Sequence, residues 1–252
     1  MTAEAAAERS PVAPLWGELR YGRELARLLI DGGLRQRAHP DAQPVMLIPG
    51  FMAGDDSLTI LRHWLRRRGH PVSSSGIRAN VDCAERAVSR LEAHLRDFSS
   101  EAGGPVLLIG QSRGGALARS LTVRCPELVS GLVMLGSPVR DSLAVSAPVL
   151  STARWVARLG DLGLPGVLSS ECAEGACCET FREDLVAPLP SGVTALTVYS
   201  RSDGIVDWRA CLDPYAEQVE VNSSHCGMSV HPDVYRVLAR VLDTAREAAW
   251  SG

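Results

Sequence analysis

Val106-Leu107-Leu108-Ile109-Gly110-Gln111-Ser112-Arg113-Gly114-Gly115 is the stretch from which the fold is read. Its first four residues are an apolar run of the kind that forms a buried parallel strand. A helical pattern, Ala116 to Leu121, follows Gly115. Between the two lies G-x-S-x-G. In a strand, sharp turn and helix, this pentapeptide holds the serine hydroxyl clear of a sheet, near the positive end of the next helix. The glycines two residues to either side let strand and helix approach without side-chain clash. The bland alternative is a glycine-rich turn capped by a serine. The apolar run before the pentapeptide and the small Gly115 after it favour a presented nucleophile.

Outward from this stretch, strand and helix patterns alternate. Val45-Met46-Leu47-Ile48, closed by Pro49-Gly50, predicts a buried strand. Ser57 to Arg68 predicts a helix ended by Gly69, and Pro71 to Ile77 a weaker strand. Val81 to Phe98 predicts a long amphipathic helix with Ala84, Ala87, Val88, Leu91 and Leu95 on one face. Strands are expected at 132–135, 195–199 and 218–221, with helices over 113–124 and 232–249. Residues 15–37 carry leucines at helical spacing until Gly32-Gly33 interrupts them. Such alternation predicts an α/β domain, with a mostly parallel central sheet and helices on both faces. Residues 136–192 depart from it, with helices expected near 146–159 and 178–186.

Bulk properties narrow the function classes. The chain has 252 residues, enough for one domain with a sizeable insertion and a core that needs no disulfides. A net charge of -3 provides no field for nucleic acid, so none is expected as a partner. Arg62, Arg66, Arg67 and Arg68 form a local basic cluster that reads as a solvated helix face. No run approaches the roughly 20 apolar residues of a membrane span. The N-terminus lacks the basic start and apolar core of a secretory signal, so the expected location is cytoplasmic. The seven cysteines are an odd number, which argues against a fully paired disulfide framework. Cys172 with Cys177-Cys178 has a loose metal-like look, but no histidine or second cysteine pair follows at zinc-site spacing. Free thiols are the expectation, and no metal is assigned.

A serine needs a base and a group that orients the base. In a doubly wound sheet such groups gather at strand carboxyl ends. Asp203 lies just past the strand at 195–199, in Ser200-Arg201-Ser202-Asp203-Gly204-Ile205-Val206. His225 lies just past the strand at 218–221, in Ser224-His225-Cys226-Gly227-Met228. Asp207 is the rival acid, four residues further from its strand. His231 is the rival base, but His231-Pro232 reads as the opening of the last helix. His63, His70 and His94 lie on helical or turn segments and are expected to face solvent. Cys226 has no elbow around it and reads as a structural thiol. The spacing of Gly110 to Gly115 does not match a dinucleotide fingerprint.

The order Ser112, Asp203, His225, together with Ile48-Pro49-Gly50-Phe51, resembles the α/β-hydrolase superfamily, and its bacterial serine esterase/lipase branch in particular. The resemblance spans roughly residues 43–245. Relatives often carry histidine where this chain has Pro49 and Gln111. The resemblance implies a single α/β-hydrolase domain over 1–252. It implies a helical lid or cap at 139–193, with 1–40 as an N-terminal helical extension. It also implies a catalytic triad of Ser112, Asp203 and His225, and an oxyanion hole from the main-chain N–H groups of Phe51 and Arg113. Apolar lid residues such as Trp155, Val156 and Leu159, with Met52, are candidates for a substrate pocket. The implied activity is cleavage of carboxylic esters through an acyl-serine intermediate, without cofactor. A thioesterase or acyltransferase on carrier-bound acyl groups would use the same site. A non-catalytic binding module is the reading from another class.

Overall fold

Strands buried on both sides need helices on both sides. The computed structural model, which describes residues 12–31 and 42–249, meets that requirement with two apolar cores around one sheet. The strands are β1 (Val45–Ile48), β2 (Val72–Ser74), β3 (Val106–Gln111), β4 (Val129–Leu135), β5 (Thr194–Tyr199) and β6 (Glu217–Glu220). Their order is β2-β1-β3-β4-β5-β6, and every pairing is parallel. The eight α-helices among the described residues are α1 (Tyr21–Ile30), α2 (Thr59–Arg67), α3 (Ala84–Ala102), α4 (Arg113–Arg124), α5 (Ala147–Asp161), α6 (Glu171–Glu174), α7 (Glu179–Val186) and α8 (Pro232–Ala249).

Side chains alternate along each strand and so feed both cores. Val45, Leu47, Leu107 and Ile109 meet Leu28 of α1, Trp64 of α2 and Leu238 of α8. Met46, Ile48, Leu108 and Met134 meet Leu91 of α3, Leu117 of α4 and Phe181 of α7. Trp64 and Tyr235 pack edge to face at 4.9 Å. β6, Glu-Gln-Val-Glu, carries charge at the sheet's edge, which discourages pairing with another chain. No helix among the described residues is long and apolar enough to cross a membrane.

The chain runs from β1 outward to β2, then returns past β1 to β3. The direction of winding therefore reverses between β1 and β3. Ligands in such sheets bind outside the strand carboxyl ends at this switch point. Here those ends are Pro49-Gly50-Phe51 and Ser112-Arg113.

Several expectations need correction. β2 covers only Val72–Ser74, and the helix expected from Ser57 opens as a 3-10 turn, Asp55–Leu58. The short α6 has too few residues for a detectable period. The expected helical stretch at 32–37 lies outside the described residues. His70 is buried rather than solvent-facing, and its Nδ1 accepts the Gln43 N–H at 3.1 Å. Arg68 is also buried. It stacks over Trp64 at 5.1 Å and pairs with Asp243 at 3.1 Å, because its long apolar stem can cover core surface.

α4 is tied by buried charge to the segments on both sides of β5. Arg119 pairs with Asp213 at 2.5 Å, with both side chains almost fully buried, and donates to the Asp184 and Ala187 carbonyls. Asp184 of α7 accepts from the Ser120 hydroxyl at 2.5 Å and from Arg124 at 2.6 Å. Removing one partner of a buried pair strands the other. Arg119→Ala should therefore lower the unfolding free energy by about 3–5 kcal/mol, read from chemical denaturation monitored by circular dichroism.

Candidate active site

The turn between β3 and α4 places Ser112 at φ 53, ψ -126, one of two non-glycine residues with positive φ among the described residues. Such geometry costs about 1–3 kcal/mol and persists only where the surroundings impose it. They do so here. A Cβ on Gly114 would lie 2.2 Å from the Ile48 carbonyl oxygen, so only glycine lets α4 start against the end of β1. The Ser112 N–H donates to the Leu135 carbonyl at 2.7 Å, fixing the turn to the end of β4.

The second positive-φ residue is Met52, φ 60, just past β1. The loop that bears it passes beside the serine, and a Cβ on Gly50 would stand 3.1 Å from the Ser112 Cβ. Asn80 holds this loop. Its side-chain amide donates to the Pro49 carbonyl at 2.8 Å, and its carbonyl accepts the Met52 N–H at 3.2 Å. The Arg113 guanidinium donates to the same carbonyl at 3.2 Å. The main-chain N–H groups of Phe51 and Arg113 have no hydrogen-bond partner among the described residues.

Asp203 and His225 come together from two loops. His225 Nδ1 lies 2.6 Å from Asp203 Oδ2, and both side chains are buried. The other carboxylate oxygen, Oδ1, accepts the Ile205 and Val206 N–H groups, each at 2.8 Å. These bonds orient the carboxylate and leave His225 Nε2 free of it. Burial works against the imidazolium. The Asp203 carboxylate, its hydrogen bond and the Glu18 carboxylate more than offset this, holding the His225 pKa above histidine's ordinary 6.5. Among the described residues no hydrogen bond joins His225 to Ser112. In ligand-free sites such contacts are often long and tighten with substrate. The rival residues sit elsewhere. Asp207 accepts the Arg209 N–H at 3.0 Å and caps a 3-10 turn, and His231 accepts the Asp233 N–H at 3.2 Å at the start of α8.

Ser112, Arg113, Phe51 and His225 all line one cavity of about 840 Å³. Of the four pocket candidates, Met52 lines it. Trp155, Val156 and Leu159 do not, which corrects the sequence reading. Helical geometry explains the difference. α5 turns Val149, Leu150, Ala153 and Ala157 toward the cavity at i, i+3 and i+4 spacing, and Trp155 projects outward, 64% exposed. α7 adds Phe181 and Leu185.

Residues from the N-terminal segment complete the site, and the sequence reading missed them. Glu18 accepts the N–H groups of Gly204 at 3.0 Å, His225 at 2.9 Å and Cys226 at 2.9 Å. It thereby joins the loop of the acid to the loop of the base. Glu24 is buried and accepts the Ser224 N–H at 2.8 Å and the Ser224 hydroxyl at 2.5 Å. Both carboxylates sit on the helical run before the sheet, where a charged residue looks solvent-facing. The only hint available was that Glu24 falls four residues before Leu28, on the face α1 buries.

Residues 63–179 match the family described as serine aminopeptidase, S33. A lipase of Bacillus licheniformis in its mature form is 15% identical, with 82% of this chain and 94% of that chain covered at a TM-score of 0.61. A soluble variant of monoglyceride lipase from Saccharomyces cerevisiae, in complex with a substrate analog, is 14% identical, covering 83% and 89% at 0.61. A metagenomic carboxyl esterase is 13% identical, covering 98% and 99% at 0.64. At these identities the likeness is one of fold. No curated protein sequence matches the chain.

The Glu24 bonds carry a stability prediction. Glu24→Ala leaves a buried N–H and a buried hydroxyl without their acceptor. The unfolding free energy should fall by about 1–3 kcal/mol, seen as a lower urea midpoint with an unchanged slope.

Proposed function

We propose that the chain, which has the α/β-hydrolase fold, is a serine hydrolase of carboxylic esters. The observation that carries the reading is the shared cavity. Ser112 on its strained turn, the His225–Asp203 pair and the free N–H groups of Phe51 and Arg113 all converge there.

Ser112 Oγ attacks the ester carbonyl carbon while His225 Nε2 takes the hydroxyl proton. Asp203 keeps the other ring proton on Nδ1 and stabilises the imidazolium that forms. The Phe51 and Arg113 N–H groups receive the developing oxyanion. As the tetrahedral intermediate collapses, His225 returns the proton to the departing alkoxide, which leaves as the alcohol. Water then attacks the acyl-serine, with His225 again accepting and returning a proton, and the carboxylic acid departs. Glu18 and Glu24 act through the loops they hold and touch no reacting atom.

The segment 139–193 serves as a lid in this reading, within a single catalytic domain. It supplies one cavity wall from α5 and α7, and Leu150, Phe181 and Leu185 make that wall apolar. An acyl chain of moderate length suits such a pocket. One observation favours a second reading. Arg154 and Arg158 are exposed side chains of α5 that also line the cavity. Two cations at the rim suit a phosphate-bearing arm, so a carrier-bound thioester is the alternative substrate.

Ser112→Ala should reduce p-nitrophenyl ester turnover to background while melting temperature and fold are retained. Full turnover in that variant would remove Ser112 from the mechanism. Comparing short-to-medium acyl esters with the matching 4′-phosphopantetheine thioesters separates the two substrate readings. Arg154→Ala with Arg158→Ala should raise KM for the thioesters alone if the carrier reading holds.

The pH profile tests the base. His225 must be neutral to accept a proton, and its pKa lies above 6.5. Activity, as kcat/KM, should rise with unit slope through a midpoint above pH 6.5 and then level off. A midpoint well below 6 would be inconsistent with this base.

A further inference from the structure

Four cysteines from two distant segments meet beside the cavity. Cys83 immediately precedes α3, Cys172 lies in α6, and Cys177 and Cys178 occupy the 3-10 turn that leads into α7. All four Sγ atoms lie within 4.8 Å of one another. Cys83 and Cys178 are 3.4 Å apart, Cys172 and Cys177 3.7 Å, and Cys177 and Cys178 3.8 Å. A disulfide would bring a pair to about 2.05 Å, so these are four thiols. Zinc held tetrahedrally at about 2.3 Å from each sulfur spaces the sulfurs by about 3.8 Å. The cluster already has nearly that size.

We propose that Cys83, Cys172, Cys177 and Cys178 form a structural zinc site. Four protein ligands close the coordination sphere, and four thiolates select a borderline-to-soft cation over magnesium or calcium. Loading releases four protons as four thiols and one Zn²⁺ become a tetrathiolate centre of net charge -2, with no change of oxidation state. The surroundings suit that charge. The guanidinium groups of Arg86 and Arg113 both act electrostatically on the cluster. Each is anchored: Arg86 on the Asp82 carboxylate at 2.9 and 2.7 Å, and Arg113 on the Asn80 and Asp82 carbonyls. Outer-shell donors are also in place, with the Ser169 N–H 3.3 Å and the Ser169 hydroxyl 3.5 Å from Cys172 Sγ. Such N–H···S bonds orient thiolate ligands and tune the centre.

The location gives the site a purpose. It joins residues 172–178, in the segment between β4 and β5, to the start of α3 in the body of the domain. Cys172 and the neighbouring Ala84 line the cavity. Arg113, which follows Ser112, reaches from the turn toward the same corner. Zinc therefore pins the inner end of this segment, and leaves α5 as the part of the wall held by fewer ties.

The test uses the full chain, produced without a metal-binding tag and kept reduced. Elemental analysis should find one zinc per chain after dialysis against a weak chelator. Cobalt exchange should give the near-ultraviolet charge transfer and intense visible bands of a tetrahedral cobalt–thiolate centre. Cys177→Ser should cut bound metal several-fold, whereas Cys125→Ser, a buried cysteine away from the cluster, should leave it unchanged. If the Cys177 variant fails to fold, protection of the four thiols from alkylation in the native chain, lost on strong chelation, supplies the same answer. Two outcomes overturn the proposal. One is a reduced chain that takes up neither zinc nor cobalt and alkylates freely at all four positions. The other is an intact mass, taken on chain purified without reductant, that is lighter by the hydrogens that disulfides lose.

Discussion

The contact on which the rest of the structure depends is the approach of Gly114 to the carbonyl oxygens of Ile48 and Pro49. It lets α4 begin against the end of β1 and so forces the tight turn at Ser112. That turn is strained, and the strain is balanced by the packing on either side of it. β3 is buried along its whole length, and α4 buries nine consecutive residues, Gly114 to Thr122. Neither can relax without opening a core. The serine is therefore held by the whole sheet rather than by its own neighbours.

The same logic explains why the site gathers where it does. Strand carboxyl ends converge at the switch between β1 and β3, and each end contributes a short loop. Loops carry unpaired main-chain groups, and buried ones need partners. Asn80 satisfies the loop after β1, Asp203 its own turn, Glu24 the Ser224 segment, and Glu18 both the acid and base loops. The polar network is thus scaffold and site at once. Two of its carboxylates, Glu18 in the 3-10 helix Leu15–Arg20 and Glu24 in α1, lie outside the alternating strand and helix pattern.

The segment between β4 and β5 follows a different economy. Its C-terminal half is fastened through Asp184 to Arg124 and through the Asp184 and Ala187 carbonyls to Arg119, and the four sulfurs lie at its inner turn. α5 has just one buried side chain among its fifteen residues, and Trp155, Leu162 and Leu164 at or just beyond it stay exposed. A wall fixed at one end and lightly packed at the other is suited to admitting apolar ligands of varied length.

Much of this was legible from local pattern. Local pattern placed β1, β3, β4, β5, α4 and α8, because each strand carries a largely apolar run, α4 follows directly on the elbow and α8 has an apolar face. The residues Ser112, Asp203 and His225 were chosen by their places after strands, and that choice needed only the order of elements. What could not be read was whatever joins segments distant in the chain. Trp155, Val156 and Leu159 looked like pocket residues because hydrophobicity does not say which side of α5 faces inward. Glu18 and Glu24 went unmarked because nothing local identifies them as acceptors for loops roughly two hundred residues away. Cys172, Cys177 and Cys178 lacked a fourth ligand until the fold brought Cys83 beside them. The sequence by itself determined the sheet, its turns and the serine's elbow, since these follow from short-range sterics and from burial of apolar runs. Only the tertiary structure decided the cavity wall, the carboxylate braces and the sulfur cluster, because each is a meeting of groups whose separation along the chain carries no information about their separation in space.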